Sequence, residues 1–166
     1  NMNVGESTEN AVTIIPSALD GTNGMPWNTT DVDVYRTVTM SPVTMGPNQL
    51  DGEFLFNGAA FDMSVINHTV TLNHIESWTL SNTSAIAHPF HIHDVQFYVQ
   101  NFNGIPATPD KAGRKDVVLV PPMSTATFLA KFEDFANPDI PYMYHCHMLH
   151  HEDGGMMGQF VVVDPS

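Results

Sequence analysis

The sequence predicts an all-β sandwich or barrel. Short runs of alternating apolar and polar residues recur at short intervals along it. The segments between these runs hold Gly, Pro, Asn and Asp, the residues that tight turns demand. No stretch shows strong helical periodicity.

Residues 1–31 read as an extended, mostly irregular arm, punctuated by Pro16, Gly21, Gly24 and Pro26. Val32 to Met40 alternates with β-branched residues and reads as a first strand. Ser41 to Gly52 is loop, with Pro42, Gly46 and Pro47. Further strands are expected near 53–57, 64–72, 75–82, 95–102, 115–120, 124–132, 141–147 and 158–163. Glu76 to Leu80 and Thr125 to Phe132 alternate best, as half-buried strands do. A helical turn is expected over 133–138 and a short helix over 147–153. The expected organisation is a linker-like arm with the first strand over 1–50, then one packed domain over 51–166.

A chain of 166 residues can bury one substantial core, and its apolar fraction of 42% is ordinary for a globular domain. No apolar run approaches the roughly 18 residues that span a bilayer. No basic-then-apolar leader opens the chain at Asn1, which suits a mature product or a fragment. With 18 acidic and 5 basic residues the net charge is −13. Binding to phosphates needs clusters of Lys and Arg, so nucleic acid and anionic membrane surfaces are excluded as partners. A single cysteine excludes an internal disulfide.

That cysteine lies in the most informative stretch, Tyr144-His145-Cys146-His147-Met148-Leu149-His150-His151-Glu152-Asp153-Gly154-Gly155-Met156, which also holds four of the nine histidines. Cys146, His151 and Met156 form a Cys-x4-His-x4-Met array. Thiolate, imidazole and a weak thioether are three of the four ligands of a blue-copper site. The fourth, a histidine, is available in His88-Pro89-Phe90-His91-Ile92-His93. A lone free Cys is usually a small buried hydrophobe, and a lone His a hydrogen-bonded structural residue. Clustering argues against both. Zinc also takes Cys and His, but it does not account for the Met spacing or for the two His-x-His pairs.

If 142–147 is a strand, successive side chains point to opposite faces. Cys146 then points one way, and His145 and His147 the other. His91 and His93, also two apart, share a face about 6–7 Å apart in extended chain. One strand would thus serve two metal sites, joined covalently through the cysteine and its neighbours.

These motifs resemble the C-terminal cupredoxin domain of the multicopper oxidases, the family of laccases, cuprous oxidases and bilirubin oxidases. Leu55-Phe56-Asn57-Gly58-Ala59-Ala60-Phe61-Asp62-Met63 resembles the family's Asn-Gly segment, and Arg114-Lys115-Asp116-Val117-Val118-Leu119-Val120-Pro121-Pro122 its Lys-Asp-Thr-Val strand and turn. The resemblance covers about residues 50–164. It implies a cupredoxin-like Greek-key barrel or sandwich with an extended N-terminal arm. It implies copper as cofactor, with His88, Cys146, His151 and Met156 as type 1 ligands, His91 at a type 2 position, and His93, His145 and His147 at type 3 positions. It implies that electrons from a phenol or metal ion enter at the type 1 copper. They pass through Cys146 to a trinuclear cluster that reduces O2 to water. It also implies a periplasmic or extracellular location.

The family's cluster takes eight histidines from four His-x-His motifs, and this chain offers only His91, His93, His145 and His147. The remainder is expected from an N-terminal cupredoxin domain, on the same or another chain. Among lesser candidates, His150 reads as a surface or supporting residue, and Asp116 as structural. Glu152 and Asp153 read as loop charges near the edge of His151, where a reductant would approach. Met157 is placed beside the site, and His68 and His74 on strand surfaces. Two alternatives are a stand-alone electron-transfer cupredoxin and a copper-storage module. The first leaves the His-x-His pairs without a role. The second leaves the axial Met and the order around Cys146 without one.

Overall fold

The alternation in the sequence becomes two sheets packed face to face. A computed structural model describes residues 5, 6, 9, 25–44 and 52–165. Most of the arm expected over 1–31, and residues 45–51 of the following loop, lie outside the described residues.

The elements in chain order are β1 (Val34–Pro42), β2 (Phe54–Phe56), β3 (His68–Thr71), β4 (Ile75–Asn82), β5 (His88–Ile92), β6 (Phe97–Phe102), β7 (Ile105–Pro106), α1 (Pro109–Ala112), β8 (Arg114–Lys115), β9 (Val117–Val120), β10 (Ser124–Lys131), β11 (Asn137–Cys146), α2 (Leu149–Asp153) and β12 (Met157–Val163). One sheet runs β2-β1-β4-β10-β6-β7, with β8 also paired to β6. The other runs β3-β12-β11-β5-β9. Most neighbours are antiparallel, but β1 pairs with β4, and β12 with β3, in parallel. Strand β1 therefore lies inside the first sheet rather than along its margin.

Inward residues of both sheets form one core, in which Val38, Met40, Phe54, Trp78, Leu80, Phe90, Phe128, Tyr144 and Phe160 are almost wholly removed from water. Each such side chain contributes roughly 1.5–3 kcal/mol by burial. Trp78 and Phe128, opposite each other on β4 and β10, stack with rings 9° from parallel. Arg36 of β1 donates from Nε and Nη2 to the fully buried Glu76 of β4, at 2.6 Å each. Trp78 Nε1 donates to the same carboxylate at 2.9 Å, and Arg36 Nη2 also reaches the Thr69 carbonyl in β3. A charged network this satisfied ties the two sheets together at one side.

Four expectations are corrected. The strand expected over 64–72 is only β3; residues 62–67 form a loop. Asp62 Oδ1 accepts from Ser64 N and Oγ, and Gln159 Nε2 donates to the carbonyls of Met63 and Val65. Side-chain hydrogen bonds thus outcompete the β-propensity of Val65 and Ile66. The helical turn expected over 133–138 is a bend, with Phe135 at φ 53° and β11 already begun at Asn137. His68 is not a surface residue. Its ring lies 5.0 Å from Trp78 and 5.6 Å from Tyr144, and its Nε2 is buried without a hydrogen-bond partner among the described residues. His74 lies in the turn before β4, half-buried, rather than on a strand. The helix expected over 147–153 forms as α2. Strand β5 is absent from the series of strands expected, because Pro89 and two histidines hide its period.

Burial, with the Arg36 guanidinium adding to it, lowers His68 to about 4 from 6.5. The fold therefore disfavours its protonation. The unfolded chain takes up the proton first, so stability is complete above pH 6.5 and is lost as pH falls through 4. Replacing His68 with Phe is expected to flatten the urea-unfolding free energy over this window by about 2 kcal/mol, allowing for partial exposure. A second expectation concerns Gly158. A Cβ there would overlap the Tyr144 ring, so Gly158→Ala should cost about 1–3 kcal/mol in the same measurement.

Candidate metal centre

Strand β11 ends in Tyr144, His145 and Cys146, all buried. It pairs with β5 so that Cys146 faces Phe90, and His145 faces His91. The burial of β5 alternates, with His88, Phe90 and Ile92 inward and Pro89 and His91 outward. Cys146 and His88 therefore project between the sheets, while His145 and His91 project from the outer face.

The inner group is His88, Cys146 and His151, all buried, with donor atoms within 4.8 Å of one another. Cys146 Sγ lies 3.7 Å from His88 Nδ1 and 3.5 Å from His151 Nδ1. The Cys-x4-His-x4-Met spacing works through the loop that follows. Helix α2 carries His151 back toward the strand. Met156 N then bonds the His151 carbonyl, and Cys146 N bonds the Met156 carbonyl. Met156 is fully buried in the same core cluster as Cys146. Gly155 turns the chain at φ 94°, where a side chain would also crowd Ala60 and Phe61. Phe54 lies beneath the group, 4.8 Å from the His88 ring and 4.6 Å from that of His151.

The outer group is His91, His93 and His145, again within 4.8 Å by donor atoms. His93 Nε2 and His145 Nε2 are 3.4 Å apart. His147 lies just beyond β11, held by its N–H to the Pro89 carbonyl, with its ring 5.6 Å from those of His91 and His145. Seven of the eight residues thus fall into two adjacent groups on opposite sides of one strand, and Met156 joins Cys146 through its backbone and the core. His150 is exposed and joins neither. Met157 sits opposite His145 in the β11–β12 register.

Three supporting contacts lie outside the expected set. His88 Nε2 lies 2.8 Å from Ser84 Oγ, and that hydroxyl donates to Asn82 Oδ1 at 2.7 Å. Ser84 then accepts from Nε2–H, leaving the Nδ1 lone pair toward Cys146. Asn82 is itself pinned by the carbonyls of Ile86, Val120 and Pro121. Among the described residues His145 Nδ1 faces only acceptors, Glu152 Oε2 and the Cys146 carbonyl, both at 3.2 Å. It carries the proton and leaves Nε2 free. Glu152 was expected at the His151 edge; its carboxylate instead turns to the outer group, because α2 folds back over β11. His91 Nδ1 likewise donates to the Asp116 carbonyl at 2.8 Å. Asn82-x-Ser84 just before the histidine motif was the available signal, since such residues commonly bond nearby backbone and each other. Orienting bonds of this kind are characteristic of metal-binding histidines.

The residues fit copper on chemical grounds. Burial raises the Cys146 thiol to about 11 and lowers His88 to about 4, and it lowers His151 as well. The inner group is therefore a buried set of neutral donors. A soft divalent cation reverses the thiol's preference, since a coordinating thiol is deprotonated outright. One thiolate and two imidazoles suit copper above the hard cations, and a thioether at Met156 would suit it further.

Fold and donor groups together define a cupredoxin domain. Residues 21–166 match the multicopper oxidase family, to which the chain belongs. It is 38% identical over 117 residues to a multicopper oxidase of Staphylococcus aureus, covering 68% of this chain and 25% of that protein. It is 34% identical over 153 residues to a laccase of Haloferax volcanii, covering 90% and 25%. Its fold matches a laccase-like multicopper oxidase from Ochrobactrum sp. with TM-score 0.77 and 30% identity, over 92% of this chain and 35% of that one. The chain thus spans about a quarter of the length of the sequence relatives named here. The family's cofactor is copper.

Replacing Ser84 with Ala removes the acceptor on His88 Nε2. The expected result is 10–100-fold weaker copper binding at the inner group, read by chelator competition.

Proposed function

We propose that this chain is the C-terminal domain of a multicopper oxidase. In this reading residues 1–50 supply an arm and first strand, and 51–166 the copper-bearing domain. His88, Cys146, His151 and Met156 hold the type 1 ion. His91, His93, His145 and His147 hold half of a trinuclear site, completed by an N-terminal cupredoxin domain on the same or another chain. When bound, copper supplies one-electron uptake from a phenol or metal ion at the inner group and reduction of O2 to water at the outer one.

The chain's own part is positional. The observation that carries the reading is the alternation at the end of β11. Cys146 faces the inner group, while His145 and His147 belong to the outer one. Each of these imidazoles is a single peptide unit from Cys146, so the link between the groups is wholly covalent. Ser84 and Glu152 fix the imidazole tautomers, and the core excludes water from Cys146. The alternative, a stand-alone electron-transfer cupredoxin, leaves the outer group without work. A periplasmic or extracellular location follows from the family resemblance. Among the described residues no helix is long and apolar enough to cross a membrane.

Two substitutions test this in the copper-loaded protein combined with its complementing domain. Cys146→Ser should abolish both the intense thiolate-to-copper absorption and oxygen uptake, with stability changed by only about 1 kcal/mol. His145→Ala should retain the absorption and lose oxygen uptake. Blue colour surviving in Cys146→Ser overturns the assignment, and its loss in His145→Ala reverses the two faces.

A further inference from the structure

We propose that the seam between β7 and β9 is a binding site for a free, small monocarboxylate with an apolar body. The body lies between the margins of the two sheets, and Lys111 and Lys115 hold the carboxylate. The site is separate from the copper groups and does not depend on them.

The seam exists because the sandwich is open along one side. Strand β7 ends the first sheet and β9 ends the second. Strand β7 is only two residues long and closes on Pro106, which has no N–H to offer a further strand. Pairing therefore cannot join the two margins. The cleft left between them is lined from both sheets, by Phe102, Ile105 and Pro106 on one side and by Val118 and Leu119 on the other. Val118 is buried and Phe102 packs against the core, so the cleft reaches the edge of the core itself. Ile105, 71% exposed, and Leu119, 56% exposed, form its apolar rim. Its volume of about 580 Å³ lies within the range of roughly 300–1,000 Å³ that small-molecule sites occupy. An apolar body in the cleft would take this rim out of water.

Charge selects the head group. Lys111 and Lys115 line the cleft, two of only five basic residues in a chain of net charge −13. Lys111 Nζ lies 5.5 Å from the centre of the Phe102 ring, and Lys115 Nζ donates to the Asp110 carbonyl at 3.4 Å. Among the described residues neither ammonium forms an ion pair with a carboxylate. Asp110 and Asp116, their acidic neighbours in the sequence, do not line the cleft. Two ammoniums beside an apolar cleft complement an anion with an apolar body. The acidic field of the whole chain repels anions in proportion to their charge. A singly charged carboxylate is therefore favoured over a phosphate or a dicarboxylate.

The test titrates octanoate by calorimetry into the copper-loaded protein combined with its complementing domain. Acetate lacks the apolar body and octyltrimethylammonium reverses the charge. Octanoate should bind saturably at a single site, and each control about tenfold more weakly or worse. A diazirine-bearing octanoate should label peptides within residues 102–121 on illumination. Lys111→Gln combined with Lys115→Gln should weaken octanoate about tenfold. Leu119→Asp places a carboxylate on the rim and should abolish binding. Both variants change exposed or half-buried side chains, and an unchanged near-ultraviolet circular dichroism spectrum checks that each is folded. The proposal is overturned by absence of saturable binding, by equal binding of the cation, by labelling outside 102–121, or by unchanged affinity in either variant.

Discussion

The whole arrangement depends on the pleat of β11. In an extended strand consecutive side chains cannot share a side, so a thiol flanked by imidazoles is divided between two environments. Here the division coincides with the boundary between core and outer face. Cys146 enters a region without water, where it meets His88 and His151. His145 and His147 remain on the outer face, where His91 and His93 meet them from β5.

The two environments impose different chemistry on similar side chains. Inside, burial keeps every donor neutral, so the group gains from a cation that accepts a thiolate. Its geometry is held by packing against Phe54 and by the Asn82–Ser84 network rather than by charge. Outside, the imidazoles crowd one another and are oriented by Glu152 and the Asp116 carbonyl. That side is open and suited to completion by further ligands, whereas the inner group is enclosed by its own domain.

The surrounding fold supplies stiffness. The Arg36–Glu76 pair and the Trp78–Phe128 stack lock β1, β4 and β10 beneath the site. Gly158 lets the Tyr144 ring lie flat against β12, two residues from Cys146. Stability and site geometry are therefore coupled through Tyr144, which contacts Phe56, Phe90, Trp78 and His68 as well.

The sequence alone determined the all-β class and most of the strands, and it pointed to eight candidate donors, with Cys146 on one face of its strand and His145 and His147 on the other. These follow from local periodicity and from the chemistry of residues a few positions apart, such as Cys146, His151 and Met156. Only the tertiary structure decided where Glu152 turns, that Ser84 supports His88, that His68 is inside, and that residues 62–67 do not form a strand. Each of these is set by partners elsewhere in the fold: α2 packed back on β11, Asn82 anchored to Val120, Trp78 and Tyr144 around His68, and Gln159 reaching Met63 and Val65. Such contacts leave no period in the chain, because they exist only once distant strands are side by side.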